Sequence, residues 1–153
     1  MTMGKPALLD MTTEELQEAL AALGEPKFRS AQVRGWLMKG RDAAGMANVP
    51  AATRAKLSEQ FTLGGARIVE THRSAHDETE KYLFALEDGN VVEGVLMSYR
   101  HGHTLCLSTQ VGCRMGCAFC ASTKAGLVRN LAPGEMLGQV IAGPTEVEQS
   151  LGI

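Results

Sequence analysis

Aromatic residues are scarce in this sequence: Phe, Trp and Tyr together make up 5% of it. A core stacked mainly from rings is excluded, so packing must rest on Leu, Val, Ala and Met. Long apolar runs are also missing, and none approaches the ~20 residues a membrane-spanning helix needs. The opening stretch, MTMGKPALLD, has one lysine and no extended apolar segment, so it does not read as a secretory leader. Net charge is small: at −2 it gives no whole-chain signal for nucleic acid. No internal repeat or low-complexity tract is present. Hydrophobic residues, aromatics included, make up 44% and charged residues 21% of the 153 positions, the profile of a soluble globular chain with one ordinary domain or two small ones. The compartment this implies is the cytoplasm, where thiols stay reduced, and four cysteines there point to metal binding or catalysis rather than disulfides.

The first third reads as helical. Thr12-Thr13-Glu14-Glu15 offers a capping box, with Thr12 as cap and Glu15 reaching back. Leu16, Ala19, Leu20 and Leu23 come next at helical spacing until Gly24. Ser30 is the expected cap of a second helix carrying Val33, Trp36 and Leu37, with Trp36 as core anchor. Pro50 opens a third helix over 50–61, with Leu57 and Phe61 inward. Between Pro26 and Leu57 stand Lys27, Arg29, Arg34, Lys39, Arg41, Arg54 and Lys56 against one acid, Asp42. That local excess suits either phosphate contact or a solvated helical surface.

From residue 66 the hydrophobic period becomes two. Strands are expected at 67–70, 81–86, 91–97 and 104–108, with Asp88-Gly89 as a hairpin turn. Gln110 to Cys120 reads as a loop rich in Gly and Cys, and Pro133 to Ala142 as a helix. The tail from Gly143 shows no clear closing element. The expected domains are a helical one over residues 1–64 and a second over 65–153, which takes in the sheet, the cysteine loop and the last helix.

The chemistry concentrates in "GCRMGCAFCAS", where Cys113, Cys117 and Cys120 are spaced C-x3-C-x2-C. Three thiolates at this spacing can grip three corners of a cubic iron–sulfur cluster, whereas an electron-transfer cluster takes a fourth cysteine. The corner without a protein ligand is then open to a small molecule. Gly112 and Gly116 let the backbone wrap close, and Phe119 is placed to shield the cluster. A zinc site of Cys3His type, completed by His101 or His103, is the alternative, although zinc ligands usually come as two short pairs. Cys106, seven positions upstream, reads from the residues alone as a core cysteine, and Glu93 as part of a solvated strand face.

C-x3-C-x2-C with an aromatic before the last cysteine resembles the radical S-adenosylmethionine superfamily. "TLCLSTQVGCRMGCAFCASTKAGLVRNLAPGEMLGQV" is similar, more closely, to the ribosomal-RNA adenine-C2 methyltransferases, which also modify a tRNA adenine. "LGEPKFRSAQVRGWLMKG", "NVPAATRAKLSEQF" and "LEDGNVVEGVLM" resemble that family's N-terminal helical domain and linking hairpin. The resemblance runs from about residue 7 to residue 142. It implies a 4Fe-4S cluster on Cys113, Cys117 and Cys120, with S-adenosylmethionine at the open iron. It assigns Cys106 to taking the C2 proton and to a disulfide that resolves the RNA–protein intermediate, and Glu93 to a proton acceptor. It implies 23S rRNA and tRNA as substrates, a flavodoxin or ferredoxin as electron donor, a monomer, and no membrane. The substrate explains the apparatus: C2 of adenine is not nucleophilic, so direct displacement on a sulfonium methyl fails, and the family instead carries the methyl on a cysteine of its own and activates it by a radical.

That methyl-carrying cysteine lies late in the family's sequence, and no cysteine comes after Cys120 here. The fold expectation is therefore an α+β fragment: a three-helix module, a β-hairpin sheet, and the first strand-loop-helix of an incomplete (β/α) partial barrel. Taken alone, the chain is expected not to methylate RNA, and the segment after 121 to expose an apolar helix face. Two readings stand beside the C2 methyltransferase. One is an inactive N-terminal fragment with residual RNA or cluster binding, and the other is an adenine-C8 methyltransferase relative.

Overall fold

A computed structural model describes residues 4–151, with side chains through Gly143. The chain divides into two compact units that meet between Gly65 and Ala66.

The first unit holds helices α1 (Thr13–Ala22), α2 (Arg29–Leu37) and α3 (Ala51–Gln60). The capping box at α1 is complete. Thr12 Oγ1 accepts from the Glu15 N–H at 3.2 Å, and Glu15 Oε2 accepts from the Thr12 N–H at 2.7 Å. Leu16, Leu20, Val33, Leu37, Met46 and Leu57 are essentially fully buried and form the unit's core. Two expectations fail here. Ser30 lies inside the first turn of α2 rather than capping it, and its hydroxyl donates back to the Lys27 carbonyl at 2.8 Å. Trp36 is only half-buried, because its indole N–H donates to Asn48 at the surface and Lys39 sits over its ring. Its expected place is taken by Met46 and Val49, from the α2–α3 connection. The α3 boundaries fall one residue inside those expected at each end, with Pro50 as the N-terminal cap and a half-buried Phe61. The unit closes through a parallel bridge between Ala7 and Thr62.

The second unit is a four-stranded antiparallel meander, β1 (Arg67–Arg73), β2 (Glu80–Ala85), β3 (Val91–Tyr99) and β4 (Gly102–Cys106), in that spatial order. Strict alternation decides its two faces. Tyr82, Phe84, Val92 and Leu96 are buried on one face, and Leu105 packs with them. Gly94 is needed on that face: a Cβ there would come within 2.7 Å of the Phe84 ring. A bulge at Val69 lets β1 keep register with β2. The Asp88-Gly89 turn joins β2 to β3, closed by the Leu86 N–H on the Asn90 carbonyl at 2.9 Å.

Beyond β4 the structure corrects the sequence reading. The strand expected at 104–108 ends at Cys106. The segment read as loop contributes β5 (Gln110–Gly112), which pairs antiparallel with β6 (Leu127–Asn130). Helix α4 runs from Pro133 to Leu151, so the tail continues as helix beyond Gly143. Its inner face is not left open. Met136 and Ala142 pack against the sheet core beside Val111 and Leu131, and Gly143 lies against Leu105 and Tyr82. The expected apolar exposure after residue 121 is removed only in part: Val140 on α4, expected inward, stays 43% exposed, and Val128 on β6 60% exposed.

Candidate functional site

The cysteine loop is a closed structure pinned at its base. Cys113 comes directly after β5, and its N–H donates to the Gly126 carbonyl at 3.1 Å. Gly112 has φ +72, and a Cβ on it would stand 2.0 Å from that same carbonyl oxygen, so only glycine fits. Thr123 ties the two sides together. Its hydroxyl accepts from the Gly116 N–H at 2.7 Å and donates to the Cys113 carbonyl at 3.1 Å. The Cys120 N–H donates to the Cys117 carbonyl at 3.1 Å, folding these two cysteines into one turn.

All four cysteines of the chain are free thiols, with Cys106 and Cys117 exposed and Cys113 and Cys120 half-buried. The Met115 N–H points to Cys113 Sγ at 3.5 Å, the kind of amide contact that stabilises a thiolate. Among the described residues no group of three or more His, Cys, Asp or Glu side chains is assembled to hold a metal ion. That applies equally to the three loop cysteines and to a set completed by His101 or His103. By donor chemistry the loop fits a thiolate-ligated group: three unpaired thiols accessible from solvent, on a backbone fixed at both ends. Phe119, expected to shield a bound cluster, is 94% exposed.

Glu93 and Cys106 come to one face of the sheet. Val95 pairs with Cys106, and Glu93 lies two residues before Val95 on the same face, opposite the side covered by α4. Cross-strand diagonals of this kind are about 7–8 Å apart. The exposed position of Cys106 replaces the core reading of that residue. The Glu93 carboxylate is paired with Lys81 Nζ at 3.2 Å. Among the described residues, no hydrogen bond or ion pair joins either side chain to the cysteine loop.

The structure also engages residues to which the sequence assigned no role, Arg129 in "LVRNL" among them. Arg129, on β6, makes a two-pronged contact with Glu135: Nη1 to Oε2 at 2.7 Å and Nη2 to Oε1 at 2.8 Å. Its Nε donates to Asp88 in the β2–β3 turn at 2.7 Å. Glu135 also accepts from the Ala132 N–H at 2.8 Å, capping α4. One guanidinium thus binds the sheet turn, the exit strand of the cysteine loop and the start of α4. The Arg129 hydrogen bonds hold Glu135 below the usual carboxylate range, against the opposing effect of burial. At Asp88 burial acts to raise the pKa, but bonds from Asn90 and Arg129 outweigh it and the net direction is down. Gln139 is fully buried and grips the Ser108 backbone from both sides, accepting from its N–H at 3.0 Å and donating to its carbonyl at 2.9 Å. The acid at the third position of a Pro-started helix could have flagged Glu135; nothing in the pattern flags Gln139.

In the helical unit the basic run is smaller as a surface than as a count. Arg29 is bound to Glu25 and Gln32, Arg34 to the Met11 carbonyl, Arg54 to the Ala44 carbonyl and Lys56 to the Leu23 carbonyl. Glu25 is held below its ordinary pKa first by the Thr53 hydroxyl and then, against burial, by Arg29. Lys27, Lys39 and Arg41 are left exposed without an ion pair among the described residues. Among the described residues no helix is long and apolar enough to cross a membrane.

Known proteins resemble this arrangement closely. The ribosomal RNA large subunit methyltransferase N-terminal domain matches residues 7–63. The chain is 48% identical over 135 residues to a probable dual-specificity RNA methyltransferase RlmN of Clostridium beijerinckii, covering 88% of this chain and 38% of that protein. A protein of the same name from Clostridium botulinum is 44% identical over 146 residues, covering 94% of this chain and 43% of its own length. The crystal structure of a radical SAM methyltransferase from Sphaerobacter thermophilus superposes with a TM-score of 0.86 at 39% identity, over 95% of this chain and 43% of that one. The chain thus spans about two fifths of the length of the relatives it matches. Over that N-terminal portion, it belongs to the radical S-adenosylmethionine RNA methyltransferase family.

Proposed function

We propose that this sequence serves an RNA methyltransferase that modifies C2 of an adenine in 23S rRNA and tRNA, acting in the cytoplasm with a flavodoxin or ferredoxin as electron donor. Cys113, Cys117 and Cys120 hold a 4Fe-4S cluster through their thiolates. Bound there with S-adenosylmethionine, the cluster supplies the one-electron chemistry needed to activate an unreactive methyl group. The chain's own part is to hold and to move protons. The pinned base of the loop fixes where the thiolates emerge, and the Met115 N–H offsets charge on Cys113. Cys106 and Glu93, side by side on the open sheet face, are the pair available to accept a proton from the target base. The Glu93 carboxylate is paired with Lys81 Nζ on this face, and the exposed Cys106 thiol is free to exchange with a second sulfur. The helical unit contributes Lys27, Lys39 and Arg41 as phosphate contacts.

The observation that carries this reading is the free three-cysteine loop within a chain 48% identical to an RNA methyltransferase over 135 residues. The test is anaerobic reconstitution of the 153-residue chain with iron and sulfide, read by iron content and electron paramagnetic resonance. Replacing Cys113, Cys117 or Cys120 by Ala should abolish cluster uptake, and C106A should leave it intact. Tetrahedral zinc uptake instead, or equal loss in C106A, would refute the ligand set. In a full-length enzyme carrying this sequence, 8-methyladenosine in place of 2-methyladenosine would refute the site of methylation. Methylation by the 153-residue chain alone is not expected, because it contains no cysteine after Cys120 to carry the methyl group.

A further inference from the structure

The open face of the β3–β4 hairpin extends well past Glu93 and Cys106. Alternation places Val95, Met97 and Tyr99 on that face along β3, and Thr104 beside Cys106 along β4. Tyr99 lies six residues beyond Glu93, about 20 Å along the strand. There its ring, 51% exposed, stacks on the imidazole of His101 with centroids 5.3 Å apart and planes 4° from parallel. Arg100 lies between them in sequence, exposed and without an ion pair among the described residues. His103, also exposed, bonds through Nδ1 to Ser98 Oγ at 2.9 Å and steadies the tip. Four of the five residues from Tyr99 to His103 carry a ring or a cation, and none is acidic. The acids at this end of the sheet are on the other hairpin. Glu70 is paired with His72 and Glu80 with Arg73, the Asp77 carboxylate caps Thr79, and Glu78 is exposed.

A flat, exposed ring pair beside an uncommitted guanidinium matches an unpaired nucleotide: the rings offer a stacking surface, and the cation a partner for phosphate. We propose that the Tyr99–His101 pair is a stacking platform for an unpaired base near the target adenine, with Arg100 on the adjoining phosphate. The inference rests on the proposed RNA substrate and adds where a second nucleotide is held. The platform and the Glu93–Cys106 pair lie on one strand face, so one RNA strand laid along the hairpin would meet both.

The test uses the 153-residue chain and a short fluorescein-labelled hairpin RNA with an adenine in its single-stranded loop. Further copies of the RNA carry 2-aminopurine at each of the other loop positions in turn, because the platform stands about 20 Å from the Glu93–Cys106 pair. Binding is expected to quench the 2-aminopurine by stacking. The double variant Y99A/H101A should lose the quenching and weaken binding roughly 5- to 150-fold. Y99W should retain both, whereas Y99L, which keeps bulk without a π-face, should behave like the alanine variant. R100A should lower the salt dependence by about one ion. Melting temperatures of all variants should match the parent, since the tip is outside the core. Binding by Y99A/H101A within about twofold of the parent, or equal binding by Y99L and Y99W, overturns the platform alone. If the parent binds no RNA, the platform and the RNA reading of this chain both fall, while cluster uptake still tests the cysteine assignment separately.

Discussion

Replacing Arg129 by Met should be among the most costly single changes in the second unit. Its guanidinium, 33% exposed, makes two short bonds to a Glu135 carboxylate that is only 13% exposed, and a third to the more open Asp88. Charge-assisted bonds to a shielded partner contribute on the order of 1.5–3 kcal/mol. The Asp88 contact, at 39% exposure, is screened and adds ~0–1 kcal/mol. After R129M, the Ala132 N–H remains as a donor to Glu135 among the described residues. A loss of about 2–3 kcal/mol is expected, equivalent to roughly 10–20 °C in melting temperature for a unit of this size. R129K, which can reach one oxygen but cannot grip two, should fall between. Thermal unfolding measured by circular dichroism compares all three proteins. The pH dependence gives an independent check. The folded-state pKa of Glu135 is depressed, so its contribution is fully present above the unfolded carboxylate value of about 4.3. It is lost as pH falls through the depressed folded value. The gap between parent and R129M should be constant near neutrality and close below about pH 4. A loss under ~0.5 kcal/mol at about pH 7, or a gap unchanged in acid, would show that the clamp does not act as argued.

Two further substitutions probe the base of the cysteine loop and the grip on Ser108. G112A should prevent β5 and β6 from closing, since its Cβ would meet the Gly126 carbonyl oxygen at 2.0 Å; limited proteolysis within 113–126 should become rapid and iron uptake should fall. Q139L keeps bulk but strands the Ser108 N–H and carbonyl, and should cost about 2–4 kcal/mol by denaturant unfolding, whereas loss of less than ~1 kcal/mol would mean that water replaces the amide.

Local chemistry was readable where it is self-contained. The α1 capping box, the Asp88-Gly89 turn and the alternation of β2 and β3 need only neighbours in sequence, and each was found where the pattern put it. Partnership across the chain was not readable. Trp36 looks like an anchor by size, but its polar edge finds Asn48, and Met46 from an irregular connection fills the core instead. The short strands β5 and β6 carry too few residues for a period to show; their pairing across the cysteine loop, and the Leu127–Asn130 register, exist only because the loop closes on itself. Cys106 looked like a core residue in an apolar strand, and a one-residue difference in facing makes it exposed.

By itself, the sequence determined which atoms are available: three thiols at a spacing that suits one cluster, the glycines that let the loop turn, and the hydrophobic periods of helix and strand. Tertiary structure decided which of these groups meet. It set Glu93 and Cys106 on one face, joined Arg129 to Glu135 and Asp88, tied up four of the seven cations between Pro26 and Leu57 in internal hydrogen bonds, and packed one side of α4 on the sheet while leaving Val140 exposed. The reason is that covalent spacing fixes local geometry, whereas a side chain's partner and exposure depend on strand register and packing between segments far apart in the chain.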